Sequence, residues 1–211
     1  FLHINEMTGK TKSDFIAKVY SLLSIQLIAT WLMSYLFYTN YQITNFVLNQ
    51  PGILITTCLF SFLCLFLTWC YGRCRPWNYI ILGGFTLCEA YSVSYVCLFY
   101  QSTSILLAWG LTTSIFMGLS LYVIITGKDF QFLGAGLFAC LWIVLIGGVI
   151  QLVWLPHDQF LNTVLAVFGA IVACGYILYD TSELMKRLDP DDFVYACLSI
   201  YLDVILSLIT F

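Results

Sequence analysis

Seven stretches of about twenty mostly apolar residues fix what this chain can fold into. They run over residues 19–38, 52–71, 78–99, 105–125, 132–154, 160–179 and 193–211. A helix rising 1.5 Å per residue needs about 20 such residues to cross a hydrocarbon layer about 30 Å thick. Lipid offers no partner to a backbone N–H or C=O, so each crossing segment must pair its own groups as a helix or close into a barrel. Barrel strands are about 10 residues long and alternate in polarity; these runs are longer and apolar throughout. The expected fold is an all-α integral membrane protein, a seven-transmembrane-helix bundle. Its organisation is an N-terminal segment over 1–17 and a transmembrane domain over 18–211.

Composition agrees. Of 211 residues, 61% are hydrophobic and 9% charged, whereas a soluble domain carries about 25% charged residues. The net charge of −3 gives no reason to expect a nucleic-acid partner. The chain opens on Phe1 without a signal-peptide pattern and stops at Phe211 inside an apolar run. It therefore reads as a trimmed chain lacking a short tail.

Orientation comes from the eight basic residues. Lys10, Lys12 and Lys18 precede the first span; Arg73 and Arg75 follow the second, Lys128 the fourth, and Lys186 and Arg187 the sixth. The loops after spans one, three and five have none. Under the positive-inside rule every basic residue faces the cytoplasm, which puts the N-terminus there too. A wrong span count would scramble this alternation. The last run is the open point: it either crosses or re-enters.

Seven of the nine cysteines lie within apolar runs, where Cys acts as a small hydrophobe. Cys70 and Cys74, beside Arg73 and Arg75, have the setting of a metal or lipidation pair, but no matching His or Cys completes a metal site. Gly83, Gly84, Gly134, Gly136, Gly147, Gly148 and the Gly169/Ala170/Ala173/Cys174 face mark expected helix contacts. His3 and His157, in the N-terminal segment and an outer loop, carry no assigned role.

Three carboxylates lie in apolar runs or at their ends: Glu89, Asp180 and Asp203. A charge there costs several kcal/mol unless paired, protonated or hydrated, which makes each a functional candidate. Between spans six and seven, Lys186 and Arg187 suit a helix C-terminus, Asp189 an N-cap and Pro190 a first helical residue. From a turn at Asp189, Asp180 lies nine residues back and Asp203 fourteen forward, or about 13 Å and about 21 Å along the helices. Two carboxyls at similar depth would titrate as a unit and share a proton. Protonated, they hold two helices together; doubly charged, they push them apart or bind a cation, and calcium favours such oxygens. The alternative is that Asp180 reaches the cytoplasmic edge while Asp203 bonds a backbone or serine neighbour.

Four segments, with Lys18-Val19-Tyr20-Ser21-Leu22-Leu23, carry a resemblance. They are Gly84-Phe85-Thr86-Leu87-Cys88-Glu89-Ala90, Phe132-Leu133-Gly134-Ala135-Gly136-Leu137-Phe138-Ala139, Tyr176-Ile177-Leu178-Tyr179-Asp180-Thr181 and Ser199-Ile200-Tyr201-Leu202-Asp203. In order and spacing the chain resembles the transmembrane Bax inhibitor motif (Bax inhibitor/Lifeguard) family, nearest in pattern to its Golgi anti-apoptotic branch, from about Phe15 onward. The resemblance implies a calcium leak channel of the Golgi or endoplasmic reticulum that lowers store filling and inhibits apoptosis. It implies no enzyme activity and no cofactor, with calcium as the permeant ion. Partners would be the bilayer and apoptosis regulators or calcium-release channels, for a monomer or weak homo-oligomer. It also implies that Asp180 and Asp203 form a pH-sensing, gating pair with transient calcium binding, and that Asp191, like Glu89, is a candidate for the ion path. In relatives an arginine within helix two latches the closed state. None stands there in this chain, which leaves Arg73 and Arg75 as the candidate latch. Other departures are Asp191 and Asp192 where Glu is common, and Val204-Ile205-Leu206-Ser207 where Ile-Ile-Asn-Leu is usual.

Two rival readings fit less of the sequence. Tyr179-Asp180 mimics the first motif of intramembrane aspartyl proteases, but no Gly-x-Gly precedes Asp203 and no Pro-Ala-Leu follows it. Cleavage of a model transmembrane peptide, lost on Asp203→Asn, would favour that reading. A seven-helix receptor would need Asp-Arg-Tyr after helix three and Asn-Pro-x-x-Tyr in helix seven, and both are missing. A non-conducting anti-apoptotic scaffold remains the alternative to a channel; calcium flux through the purified protein separates them.

Overall fold

The computed structural model describes residues 9–71, 74, 76–154, 158–186 and 192–210. Eight α-helices follow in order: α1 Gly9–Thr39, α2 Tyr41–Asn49, α3 Pro51–Tyr71, α4 Trp77–Cys97, α5 Ser102–Thr126, α6 Gly134–Trp154, α7 Gln159–Lys186 and α8 Phe193–Thr210. A 3₁₀ turn, Gln131–Leu133, leads into α6. There is no strand among the described residues. All helices except α2 are long and apolar enough to cross a membrane, as the apolar runs require.

Polar residues punctuate the helices. Asn40 ends α1 and caps α2, its side chain accepting from the Gln42 and Ile43 amides at 3.1 and 3.4 Å. Pro51 opens α3, where its missing N–H is one the first turn leaves unpaired anyway. Gly127 closes α5 with φ +59°, a left-handed cap that only glycine adopts without strain, its amide bonding the Val123 carbonyl at 2.8 Å. Asp158 caps α7 through the Phe160 and Leu161 amides.

Three boundaries differ from the apolar runs. α1 begins at Gly9, so part of the polar N-terminal segment is an extension of the first helix. α2 adds a short helix within the first loop, where apolar length gave no sign of one. α7 continues to Lys186, so Asp180 lies inside a helix rather than at its end. The hairpin turn at Asp189 lies outside the described residues. α8 is one unbroken helix and the most enclosed: 67% of it is buried, against 6% of the span containing α6. Its polar residues Ser199, Asp203, Ser207 and Thr210 fall along one face and the rest of the helix is apolar.

The chain divides into two compact units. Unit 1 comprises residues 1–106 and 188–201, unit 2 residues 107–187 and 202–211. In unit 1, α4 packs on α1 and on α3. Buried polar side chains recur every fourth residue on α1 at Gln26, Thr30 and Ser34, opposite Thr86 and Ser94 of α4 and Tyr201 of α8. Gln26 Nε2 donates to Thr86 Oγ1 at 2.8 Å, Thr30 meets the Tyr201 hydroxyl at 2.7 Å, and Ser34 meets Ser94 at 3.0 Å. Thr86, Thr30 and Ser94 each give their own hydrogen to the carbonyl four residues back. Tyr201 must therefore donate to Thr30, and Ser34 to Ser94. At the adjoining end, the Lys18 ammonium lies 3.2 Å from the centroid of the Phe193 ring, which itself packs against Tyr79.

In unit 2, small residues set the spacing of α6, α7 and the end of α8. A methyl group added at Gly134 would lie 2.8 Å from the Tyr179 ring, at Gly147 2.7 Å from Leu165, at Gly169 2.8 Å from Thr210 Cγ2, and at Gly175 2.5 Å from Leu137. Of the glycines expected at contacts, Gly83, Gly136 and Gly148 instead face open space, and Gly84 makes only ordinary contact. Thr210 cannot swing away easily, because it is β-branched and its hydroxyl bonds the Leu206 and Ser207 carbonyls.

Gly169→Ala is therefore expected to destabilise the protein by about 1–3 kcal/mol through overpacking, and Gly136→Ala to be neutral or slightly stabilising. Unfolding midpoints in detergent micelles check both. A Thr30→Val, Tyr201→Phe double-mutant cycle in the same assay should show coupling of about 0.6 kcal/mol, the usual size for a hydrogen bond between membrane helices.

Candidate functional site

Unit 2 brings Asp180 and Asp203 together. Asp180 sits on α7, six residues before its end, and Asp203 sits midway along α8. They are 9% and 6% exposed, and their side chains share a hydrogen bond. A hydrogen bond between two carboxyl groups needs a proton on one of them, because a carboxylate only accepts. At that range two carboxyls avoid repulsion only when a proton sits between them. Tyr176, one turn before Asp180 on α7, lies beside both carboxyls.

The surroundings are polar but under-satisfied. Asp203 Oδ2 is buried with no hydrogen-bond partner, as are Ser207 Oγ one turn further along α8 and Thr181 Oγ1 next to Asp180 in the chain. Such orphaned oxygens cost about 1–3 kcal/mol each in a protein interior. Ser182 is spent differently: its hydroxyl donates to the Tyr179 carbonyl and accepts from the Phe130 amide. That ties the segment before α6 to α7 beside the pair. A cleft of about 500 Å³ lined by Asp129, Gln131, Phe132 and Tyr179 lies in this region. Both polar atoms of the Gln131 amide are buried without a partner. Lys186 reaches Asp129 at 3.7 Å, a half-exposed ion pair of little energetic weight.

Glu89 belongs to unit 1. It is half-buried on α4, with the Ser61 hydroxyl of α3 and Tyr201 of α8 as its polar neighbours. It is not a member of the aspartate pair. Arg73, Arg75 and Asp191, the candidate latch and the second candidate for the ion path, lie outside the described residues. Among the described residues no group of three or more His, Cys, Asp or Glu side chains is placed to hold a metal ion. The aspartates offer two carboxyls and nearby hydroxyls, a set suited to hard cations such as calcium.

Sequence reasoning reached the aspartates but missed two features. The hydrogen-bond ladder of α1 and α4 was written in the fourfold spacing of Gln26, Thr30 and Ser34, and of Thr86, Ala90 and Ser94. Tyr176 was visible as the residue one turn before Asp180 on the same helix face.

Comparison with known proteins shows the family of the chain. The model of the family described as inhibitor of apoptosis-promoting Bax1 matches residues 12–211. Protein lifeguard 4 of mouse is 38% identical over 191 residues, covering 90% of this chain and 79% of the relative. The Golgi anti-apoptotic protein of vaccinia virus strain Lister is 34% identical over 191 residues, with 90% and 80% covered. Bax inhibitor 1 of Schizosaccharomyces pombe is 31% identical over 202 residues, with 96% and 76% covered. Matched over nearly its whole length by the family model and by relatives above 30% identity, the chain belongs to the Bax inhibitor/Lifeguard family.

Proposed function

We propose that the protein is a pH-sensitive calcium leak of an intracellular membrane, Golgi or endoplasmic reticulum, that lowers store calcium and so restrains apoptosis. The observation that carries this reading is the buried, hydrogen-bonded contact between Asp180 and Asp203. The names of two relatives, one a Golgi anti-apoptotic protein and one a Bax inhibitor, support the cellular role and its membrane. None of these names is that of an enzyme.

The mechanism follows from proton count. With one proton the pair is a hydrogen bond between α7 and α8, and the two helices are held together. Loss of that proton leaves two negative charges in contact in a medium of low dielectric, where repulsion is poorly screened. The helices then separate, or a divalent cation enters between the carboxylates and neutralises them. Calcium does so at low cost, because it accepts irregular oxygen coordination and tolerates flexible sites. The pair is thus both a gate and a transient cation site, and raising cytoplasmic pH favours the open form.

Calcium flux into liposomes containing only this protein, measured as a pH series, tests the proposal. Flux is expected to rise with pH as the pair loses its shared proton. Asp203→Asn and Asp180→Asn place a non-titrating amide donor against the remaining carboxylate, a permanent imitation of the protonated pair. Each should keep flux low and remove its pH response. Flux absent from the unaltered protein at every pH would leave the non-conducting scaffold as the better reading. A pH response that survives both substitutions would remove the aspartates from the gate.

A further inference from the structure

Cys70 and Cys74 differ from the other seven cysteines. All nine are free and Cys58 is exposed as well, but these two exposed thiols lie beyond the end of the second span, Pro51–Thr68, whereas the other seven lie within spans. Cys70 is in the last turn of α3. Cys74 is in the bend that follows, its amide bonding the Tyr71 carbonyl at 2.9 Å and its carbonyl accepting from the Asn78 amide at 3.0 Å. Exposed Tyr71 and Trp77 bracket the bend, in the manner of side chains seated at the headgroup level. In sequence Arg73 and Arg75 flank Cys74, marking this edge as cytoplasmic. The two thiols therefore stand at the water–lipid boundary on the reducing side, where a lasting disulfide is not expected.

The helix beneath Cys70 adds a second, independent observation. Leu59, Leu63 and Phe66 fall eleven, seven and four residues before it, so with Cys70 they share one face. They are 65%, 48% and 57% exposed, and Phe62 beside them is exposed as well. The stripe is about 16 Å long from Leu59 to Cys70, close to half of a hydrocarbon layer about 30 Å thick. Helical Cα–Cβ bonds tilt toward the helix N-terminus. Since α3 ends at the cytoplasmic edge, the Cys70 side chain leans back toward the bilayer and along that stripe.

We infer that Cys70 and Cys74 are S-acylation sites for long-chain fatty acids, Cys70 laying its acyl chain along the lipid-facing side of α3. The donor is a fatty acyl-coenzyme A, presented by a membrane acyltransferase. The cysteine sulfur attacks the thioester carbonyl carbon, a new carbon–sulfur bond forms, and the bond to coenzyme A breaks. Coenzyme A departs as a thiol carrying the proton the cysteine gave up, and nothing is oxidised or reduced. With seven apolar spans already present, the added chain has no anchoring to do. It pins the α3–α4 bend to one leaflet and alters which lipids α3 favours. A metal site is the weaker use of these thiols, because no third His, Cys, Asp or Glu among the described residues joins them.

Acyl exchange on the full chain expressed in eukaryotic cells decides the matter. Free thiols are blocked, thioesters are cleaved with neutral hydroxylamine, and the released thiols receive a maleimide-polymer mass tag. The unaltered chain should show a hydroxylamine-dependent shift of two tags, Cys70→Ser should lose one, and the Cys70→Ser/Cys74→Ser double variant should show none. No hydroxylamine-dependent shift in the unaltered chain overturns the assignment, and so does a shift that persists in the double variant. Both side chains are exposed and unbonded, so serine costs no packing; an unchanged elution volume in detergent gel filtration verifies the fold of each variant.

Discussion

In a solvent that cannot hydrogen-bond, a polar group left without a partner inside the protein is costly, and that cost shapes this chain at each level. At the backbone it leaves helices as the means of crossing, and seven of the eight helices are built to do so. At the side chains it makes hydroxyls return their hydrogen to the carbonyl one turn back, as Thr30, Thr86, Ser94, Thr113, Ser114 and Thr126 do. Three of these, Thr30, Thr86 and Ser94, offer their remaining lone pairs to a donor on another helix. Helix adhesion in unit 1 is therefore directional. A hydrophobic interface would tolerate sliding, whereas this one has a register set by donors and acceptors four residues apart.

The same demand explains why the aspartates stand out. A lone buried carboxylate could not be kept, but a carboxyl facing another carboxyl can be, provided a proton sits between them. In the proposed gate the pair's contact energy follows the proton supply of the nearby water, while that of the leucine and valine around it does not. Glu89 is handled differently, by exposure of part of its side chain.

Span number was legible because apolar length is a one-dimensional property, and the meeting of Asp180 with Asp203 was legible because a hairpin turns sequence distance into height. Helix ends were less so. α7 outlasts its apolar run by about two turns because Thr181, Ser182 and Glu183 are helix-compatible although polar, and hydropathy cannot see that. α2 went unnoticed because its helix depends on the Asn40 cap and on Thr44 bonding back to the Phe37 and Asn40 carbonyls. Among glycines, sequence gave no means to separate Gly147, pressed against Leu165, from Gly148, which faces open space. Only the helix rotation decides between neighbours in a chain.

The contact of Gly169 with Thr210 has a mechanical side. It lies eleven residues from Asp180 on α7 and seven from Asp203 on α8, so the two helices are held at two heights by contacts of opposite character. One is a close steric fit, indifferent to charge; the other is a meeting of two carboxyls, which we propose depends on a shared proton. Under the proposed gating, two rods fastened in this way part like shears, with the glycine contact as the pivot and the carboxyls at the blades.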